Sequence, residues 1–191
     1  MEYIYTIRQM KISDKEAAEY ICCNASEPMD LGSEEINQAF SQGALTVFCH
    51  YYVEKEPEHC FVVVDENDVP KGYVLCAVDF EKWKKVFTEE YMNVSQIPVV
   101  KGMGAGSIAA LEPFAKEYPA HLHIDLLPEL QRQGFGVKLM DALVDMLRKI
   151  GVSGVMLNVA ADNEKGMNFY KKYGFALLAE GQQEVVFGLK I

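Results

Sequence analysis

Hydrophobic and polar positions change period several times along the chain, and the clearest change lies between Ala120 and Ile150. His121 to Leu127 alternates polar and apolar residues as far as Asp125 and stops before Pro128, as a strand does when a proline ends its ladder. From Val137 to Ile150 the period becomes helical. Leu139, Leu143, Leu147 and Ile150 form one stripe, widened by Met140, Val144 and Met146. Lys138, Asp141, Asp145, Arg148 and Lys149 fall largely off that stripe, so this helix is expected to pack on a sheet.

The N-terminal half is less regular. Tyr3 to Met10 alternates enough for a first strand, and Ser13 with Glu16 reads as a capping box opening a helix through Ala17, Ala18, Tyr20 and Ile21 to Asn24. Glu27 to Gly32 reads as a loop. Ser33 starts a second helical segment with Ile36, Ala39 and Phe40 on one face, and Gly43 is expected to stop it. Ala44 to Glu54 suits a strand by its aromatic and β-branched content. The acidic Glu54-Glu56-Glu58 linker and Pro57 tip it towards helix. Cys60–Val64 and Lys71–Val78 are then expected to pair as a hairpin about the turn residues Asp65–Pro70.

Asp79 to Met92 carries Phe80, Trp83, Val86, Phe87 and Tyr91 at helical spacing, an aromatic stripe that belongs in a core. Pro98 to Glu112 shows no clear period. Within it, Lys101-Gly102-Met103-Gly104-Ala105-Gly106-Ser107 lacks the Gly-Lys-Ser/Thr of a P-loop and the third glycine of a dinucleotide fingerprint, and is expected to be a mobile loop, a candidate lid. Gly151 caps the long helix, Ser153–Ala160 reads as a buried strand, and Asp162-Asn163 opens a helix that Gly174 closes. Leu177–Ala179 and Glu184–Leu189 complete the sheet. Residues 1–191 are thus expected to form a single α/β domain, a mixed central β-sheet with helices on both faces.

Between the central strand and its helix lies Gln131-Arg132-Gln133-Gly134-Phe135-Gly136. A strand that enters a helix through two close glycines exposes unpaired N–H groups at the positive end of the helix dipole, a site for phosphate or pyrophosphate. Gly134 and Gly136 would let the backbone approach an anion closely, and Arg132 would add a charge-assisted contact.

Charge narrows the partners. The net charge of −10 argues against nucleic acid, since nothing neutralises a run of phosphates, and is compatible with a cationic amine substrate. Five cysteines, Cys22, Cys23, Cys49, Cys60 and Cys76, are odd in number and lack metal-ligand spacing, so no metal is expected and reduced thiols in a cytoplasmic protein are. Met1 to Tyr5 has no signal-peptide pattern, and no apolar run has the length of a membrane span.

Gln131-x-x-Gly134-x-Gly136 after a strand ending in Leu-x-Pro resembles the acetyl-CoA signature of the GNAT superfamily of N-acetyltransferases. Leu157-Asn158-Val159-Ala160, then Asn163, then Phe169-Tyr170-Lys171-Lys172-Tyr173-Gly174-Phe175 resembles that superfamily's next strand and helix. Tyr118-Pro119-Ala120-His121-Leu122-His123-Ile124-Asp125 is also similar to the acetyltransferase-like C-terminal domain of O-GlcNAc hydrolases and its stand-alone bacterial relatives. That likeness continues weakly through Ile7-Arg8 and Cys60-Phe61-Val62-Val63.

The resemblance implies the GNAT fold, acetyl-CoA as co-substrate and a primary amine as acceptor. It places coenzyme A in a splay between two strands. The backbone of Leu126 and Leu127 would pair with the pantetheine arm, and the N–H groups from Gln131 through Arg132, Gln133, Gly134 and Phe135 to Gly136 would hold the pyrophosphate. Asn163 would touch the coenzyme A tail, and Tyr170 occupies the general acid's position. His121, His123 and Asp125, spaced by two, share one face of the strand. A histidine there has the pKa for deprotonating an amine, with Asp125 orienting it or binding a cation. Equally, one histidine satisfies a buried hydrogen bond and Asp125 caps a loop. The same resemblance includes pseudo-acetyltransferases that act as binding modules. The acceptor and the oligomeric state, a homodimer included, stay open.

Overall fold

The computed structural model describes residues 4–26 and 30–191, so Tyr3 of the expected first strand and Glu27–Met29 of the expected loop lie outside it. Seven strands form one sheet: β1 Thr6–Gln9, β2 Phe61–Val64, β3 Pro70–Ala77, β4 Ala120–Leu126, β5 Gly154–Ala160, β6 Ala176–Glu180 and β7 Glu184–Lys190. Their order is β1-β2-β3-β4-β5-β7-β6. β4 and β5 run parallel and the other neighbours antiparallel.

Two apolar layers cover the sheet. On one face α6, Phe135–Lys149, buries Leu139, Met140, Leu143, Val144 and Leu147, the stripe read from its period. Beside it α7, Glu164–Tyr173, contributes Tyr170. The other face carries α1 Lys15–Asn24, α2 Glu34–Leu45, α3 Tyr51–Lys55, α4 Phe80–Phe87 and α5 Pro98–Leu111, packed around Tyr51, Tyr52, Phe80, Trp83 and Phe87.

Three expectations fail here, each for a reason of packing. Ser13 and Glu16 form no capping box. A 3-10 turn, Ile12–Asp14, precedes α1, and Asp14 is the residue that accepts the Lys11 N–H at 2.8 Å and binds the Arg8 guanidinium at 2.7 and 2.9 Å. Gly43 stops nothing. The helix runs on through a π-helical turn, Thr46–His50, into α3, so the helical alternative holds for residues 44–54. Gly43 serves a crossing instead, since a Cβ there would lie 2.8 Å from Val99 Cγ1 on α5.

One residue of the acidic linker lies in the core. Glu56 is fully buried, accepts hydrogen bonds from the Tyr51 hydroxyl at 2.7 Å and the Val78 N–H at 3.2 Å, and faces His59 Nδ1 at 2.9 Å and Lys82 Nζ at 3.4 Å. Glu56→Gln will replace one acceptor oxygen by an NH₂ among donors and cost roughly 1–3 kcal/mol, measured as a lower urea midpoint with unchanged slope.

Lys101–Ser107 is the largest correction: it lies inside α5, not in a mobile loop. Three glycines weaken a helix by about 1 kcal/mol each relative to alanine, so tertiary contact must supply the difference. Gly104 packs on Phe87, whose Cε1 would sit 2.8 Å from an added Cβ, whereas Gly102 and Gly106 face open space. Gly102→Ala and Gly106→Ala will therefore each stabilise by roughly 0.5–1 kcal/mol, while Gly104→Ala will destabilise. Thermal unfolding of the three variants decides this, and no change in any of them would argue against the helix.

Candidate active site

β4 and β5 pair only at Ala120 with Val155 and His121 with Met156, and beyond His121 the two strands part. The edge of β4 exposed there follows from its pairing with β3. Leu127 donates its N–H to the Lys71 carbonyl at 2.9 Å, so by alternation Ile124 and Leu126 turn their backbone groups to the other side, into the gap.

This corrects one expected contact. The Leu127 N–H is committed to Lys71 at 2.9 Å, on the β3 side of the strand, and its carbonyl accepts the Leu130 N–H at 2.9 Å, so its donor does not face the gap. Ile124, which carries no polar side chain for sequence reasoning to notice, turns its backbone groups into the gap beside those of Leu126.

The turn after β4 ends at Gly134, which has φ +83° and forms the N-cap of α6 with no side-chain cap. Arg132 adopts φ +60°. No N–H of Arg132, Gln133 or Gly134 donates to another described residue, and the first helical N–H to do so outside the first turn is that of Lys138, to Gly134 O at 3.2 Å. Phe135, Gly136 and Val137 thus begin a 15-residue helix with free donors. The Gln131 N–H lies outside this set, since it bonds Pro128 O at 3.3 Å. Its side chain braces the turn through Leu126 O at 2.9 Å and Ala25 O at 2.8 Å.

The two glycines do different work. Gly134 supplies a left-handed backbone, whereas Gly136 is a close approach, because a Cβ would meet Phe169 Cε2 at 3.1 Å. Asn163 caps α7, its Oδ1 accepting the Gly166 N–H at 2.8 Å, so only its Nδ2 is left for another partner.

Tyr170 comes from the α7 layer and is buried among Phe169, Phe175 and Phe187. Burial first, and the charge of Asp125 second, push its phenol well above the ordinary tyrosine range. Asp125 belongs to the opposite face of the sheet, so the parting of β4 and β5 is what brings the two groups within electrostatic reach. The Tyr73 hydroxyl donates to Asp125 Oδ2 at 2.7 Å, and burial outweighs that bond and raises the Asp125 carboxyl.

His121 and His123 share the Asp125 face, as expected, but both meet a residue that spacing did not reveal. The Tyr52 hydroxyl lies 2.8 Å from His121 Nε2 and 3.0 Å from His123 Nε2. Tyr52 is 69 positions from His121, in the segment whose period was ambiguous, so no local pattern marks it. Burial holds His121 well below the usual histidine range, with His123 adding to the effect, and lowers His123 to about 4. Both are neutral at pH 7. Among the described residues no group of three or more His, Cys, Asp or Glu is placed to hold a metal.

The arrangement offers free N–H groups at a helix start, a backbone edge of β4 that leads from it with no strand partner among the described residues, and a phenol with a carboxylate across the gap. Residues 25–175 match the sequence profile of the acetyltransferase (GNAT) family. The chain is 28% identical to N-alpha-acetyltransferase 30 of Schizosaccharomyces pombe over 125 residues, which cover 65% of this chain and 62% of that protein. It thus spans less than two thirds of that relative's length. It is 42% identical over 118 residues to the ribosomal protein bS18-alanine N-acetyltransferase of Escherichia coli strain K12, 59% of this chain and 77% of that one. The crystal structure of a protein named SsHAT superposes with a TM-score of 0.83 at 26% identity, over 97% of this chain and 98% of that one.

Proposed function

Since the chain belongs to the acetyltransferase (GNAT) family, whose members use acetyl-CoA, we propose that it transfers the acetyl group of acetyl-CoA to a primary amine. The observation that carries this reading is the parting of β4 from β5 directly before a helix whose first turn has free N–H groups. The residues fit the co-substrate: the N–H groups from Arg132 to Val137 suit a pyrophosphate, and the Ile124 and Leu126 edge suits the amides of a pantetheine arm. When bound, acetyl-CoA supplies a thioester carbonyl open to attack.

The chain's own residues divide the remaining work. Tyr170, protonated throughout the neutral range, donates a proton to the leaving sulfur. Asp125 draws the cationic amine and takes its proton. His121 and His123, held neutral by burial, are poor stores for that proton. The relatives are named for α-amino groups, one of them the alanine of a ribosomal protein, which supports an acceptor whose amine stands next to a carbonyl.

Calorimetry of the protein with acetyl-CoA, desulfo-CoA as comparison, followed by thiol release over a panel of amines, tests the proposal. Binding with release on at least one amine is expected. No binding at millimolar ligand would leave a pseudo-acetyltransferase, the module suggested by the likeness to O-GlcNAc hydrolase C-terminal domains.

A further inference from the structure

One hydroxyl placed between two imidazoles restricts both. Tyr52 is fully buried, and its oxygen meets the Nε2 atoms of His121 and His123. A hydroxyl has a single hydrogen to donate, so it bonds one bare Nε2 and must accept from the other, which then carries its own hydrogen. The two neutral rings are therefore complementary: where one is protonated on Nε2, the other is protonated on Nδ1.

The order along this line is set at its inner end. His121 is 1% exposed, and its Nδ1 has no hydrogen-bond partner among the described residues. The indole Nε1 of Trp83 is likewise buried and unpartnered, and the two rings lie edge to face with centroids 4.4 Å apart. An indole N–H is only ever a donor. With that donor already stranded beside the ring, a lone pair on His121 Nδ1 adds no further unpaired hydrogen, whereas a second N–H would add another stranded buried donor.

We propose that Tyr52 is a positioning residue that holds His121 protonated on Nε2 and His123 protonated on Nδ1, so that His123 presents the acceptor substrate with an N–H donor rather than a base. His121 Nε2–H then donates to the Tyr52 oxygen, and the Tyr52 O–H donates to His123 Nε2. Neutrality of both rings follows from their burial.

The consequence for substrate rests on the acetyl-transfer reading. His123 stands two residues before Asp125 on the same strand face, and it is half-buried where His121 is enclosed. A donor beside a carboxylate suits an acceptor carrying an oxygen near its amine, such as a peptide N-terminus. It has nothing to bond on a simple polyamine, whose nitrogens all donate when charged.

Long-range proton–nitrogen correlation spectra of the ¹⁵N-labelled protein at pH 7, assigned with single-histidine variants, read the tautomers directly. Expected are Nε2–H on His121 and Nδ1–H on His123, with the His123 signature lost in Tyr52→Phe. Matching tautomers, the reverse order, or an imidazolium at either ring would overturn the proposal. This result does not depend on acetyl-CoA, so it stands or falls apart from the activity. In turnover assays Tyr52→Phe should raise the acceptor KM about tenfold for an oxygen-bearing amine, the worth of one hydrogen bond. The acetyl-CoA Kd should not move, and an equal KM rise for a polyamine would sink the assigned donor role.

Discussion

Gly134→Asp will raise the Kd for acetyl-CoA by about 100-fold, the equivalent of one lost charge-assisted contact plus repulsion at the helix start. The reason is geometric. Gly134 is the N-cap of α6 at φ +83°, with free N–H groups before and after it and open space where a side chain would go. A carboxylate placed there sits where the pyrophosphate would otherwise be held and competes for the same donors. A left-handed backbone also strains any residue with a Cβ, though aspartate and asparagine tolerate it better than most. Gly134→Asn separates the two effects, since it brings the same backbone strain without the charge. Calorimetry should show the asparagine variant within about tenfold of wild type, the allowance for one neutral hydrogen bond. If the aspartate and asparagine variants bind acetyl-CoA as wild type does, this turn is not the anion site.

Tyr170→Phe will lower kcat by roughly 10²–10⁴-fold, the usual worth of a positioned proton donor, with the acetyl-CoA Kd unchanged. Phenylalanine preserves the aromatic packing against Phe169, Phe175 and Phe187 and removes only the hydroxyl. The sign of the pH dependence follows from burial. A buried phenol next to a carboxylate is harder to ionise, so Tyr170 keeps its proton above the ordinary tyrosine range. Wild-type kcat should therefore show no alkaline fall near pH 10 of the kind an unperturbed tyrosine acid would cause. Asp125 acts at the other end: its raised carboxyl must be ionised to draw the amine, so activity is lost as pH falls through a value above the ordinary aspartate one. Equal turnover in the Tyr170 variant would return that residue to core packing.

Much of the fold was legible because its informative elements are locally periodic. The α6 stripe, the strand ending at Pro128 and the caps at Asn163 and Gly174 all follow from neighbours within a few residues. The Ser33 cap was also readable, its hydroxyl accepting the Ile36 N–H at 3.3 Å. Gly43 and Gly104 were misread, and nothing marked Glu56 as buried, because each answers to a distant partner. Gly43 meets Val99, Glu56 meets Val78 and Lys82, and Gly104 meets Phe87. A glycine reads as a break until a partner across the core is placed against it.

The site divides along the same line. The glycine spacing of the turn from Gln131 to Gly136, the shared face of His121, His123 and Asp125, and the resemblance that singles out Tyr170 all rest on short stretches, and the amino-acid sequence by itself made them legible. Tertiary structure alone decided which backbone edge is free, because Leu127 is taken by Lys71 and Leu130 while Ile124 faces the gap. It also placed Tyr170 and Asp125 across a parted sheet and set Tyr52 between two histidines 69 and 71 positions away. Hydrogen-bond satisfaction in a buried site is a matter of which groups meet in space, and periodicity carries no record of that.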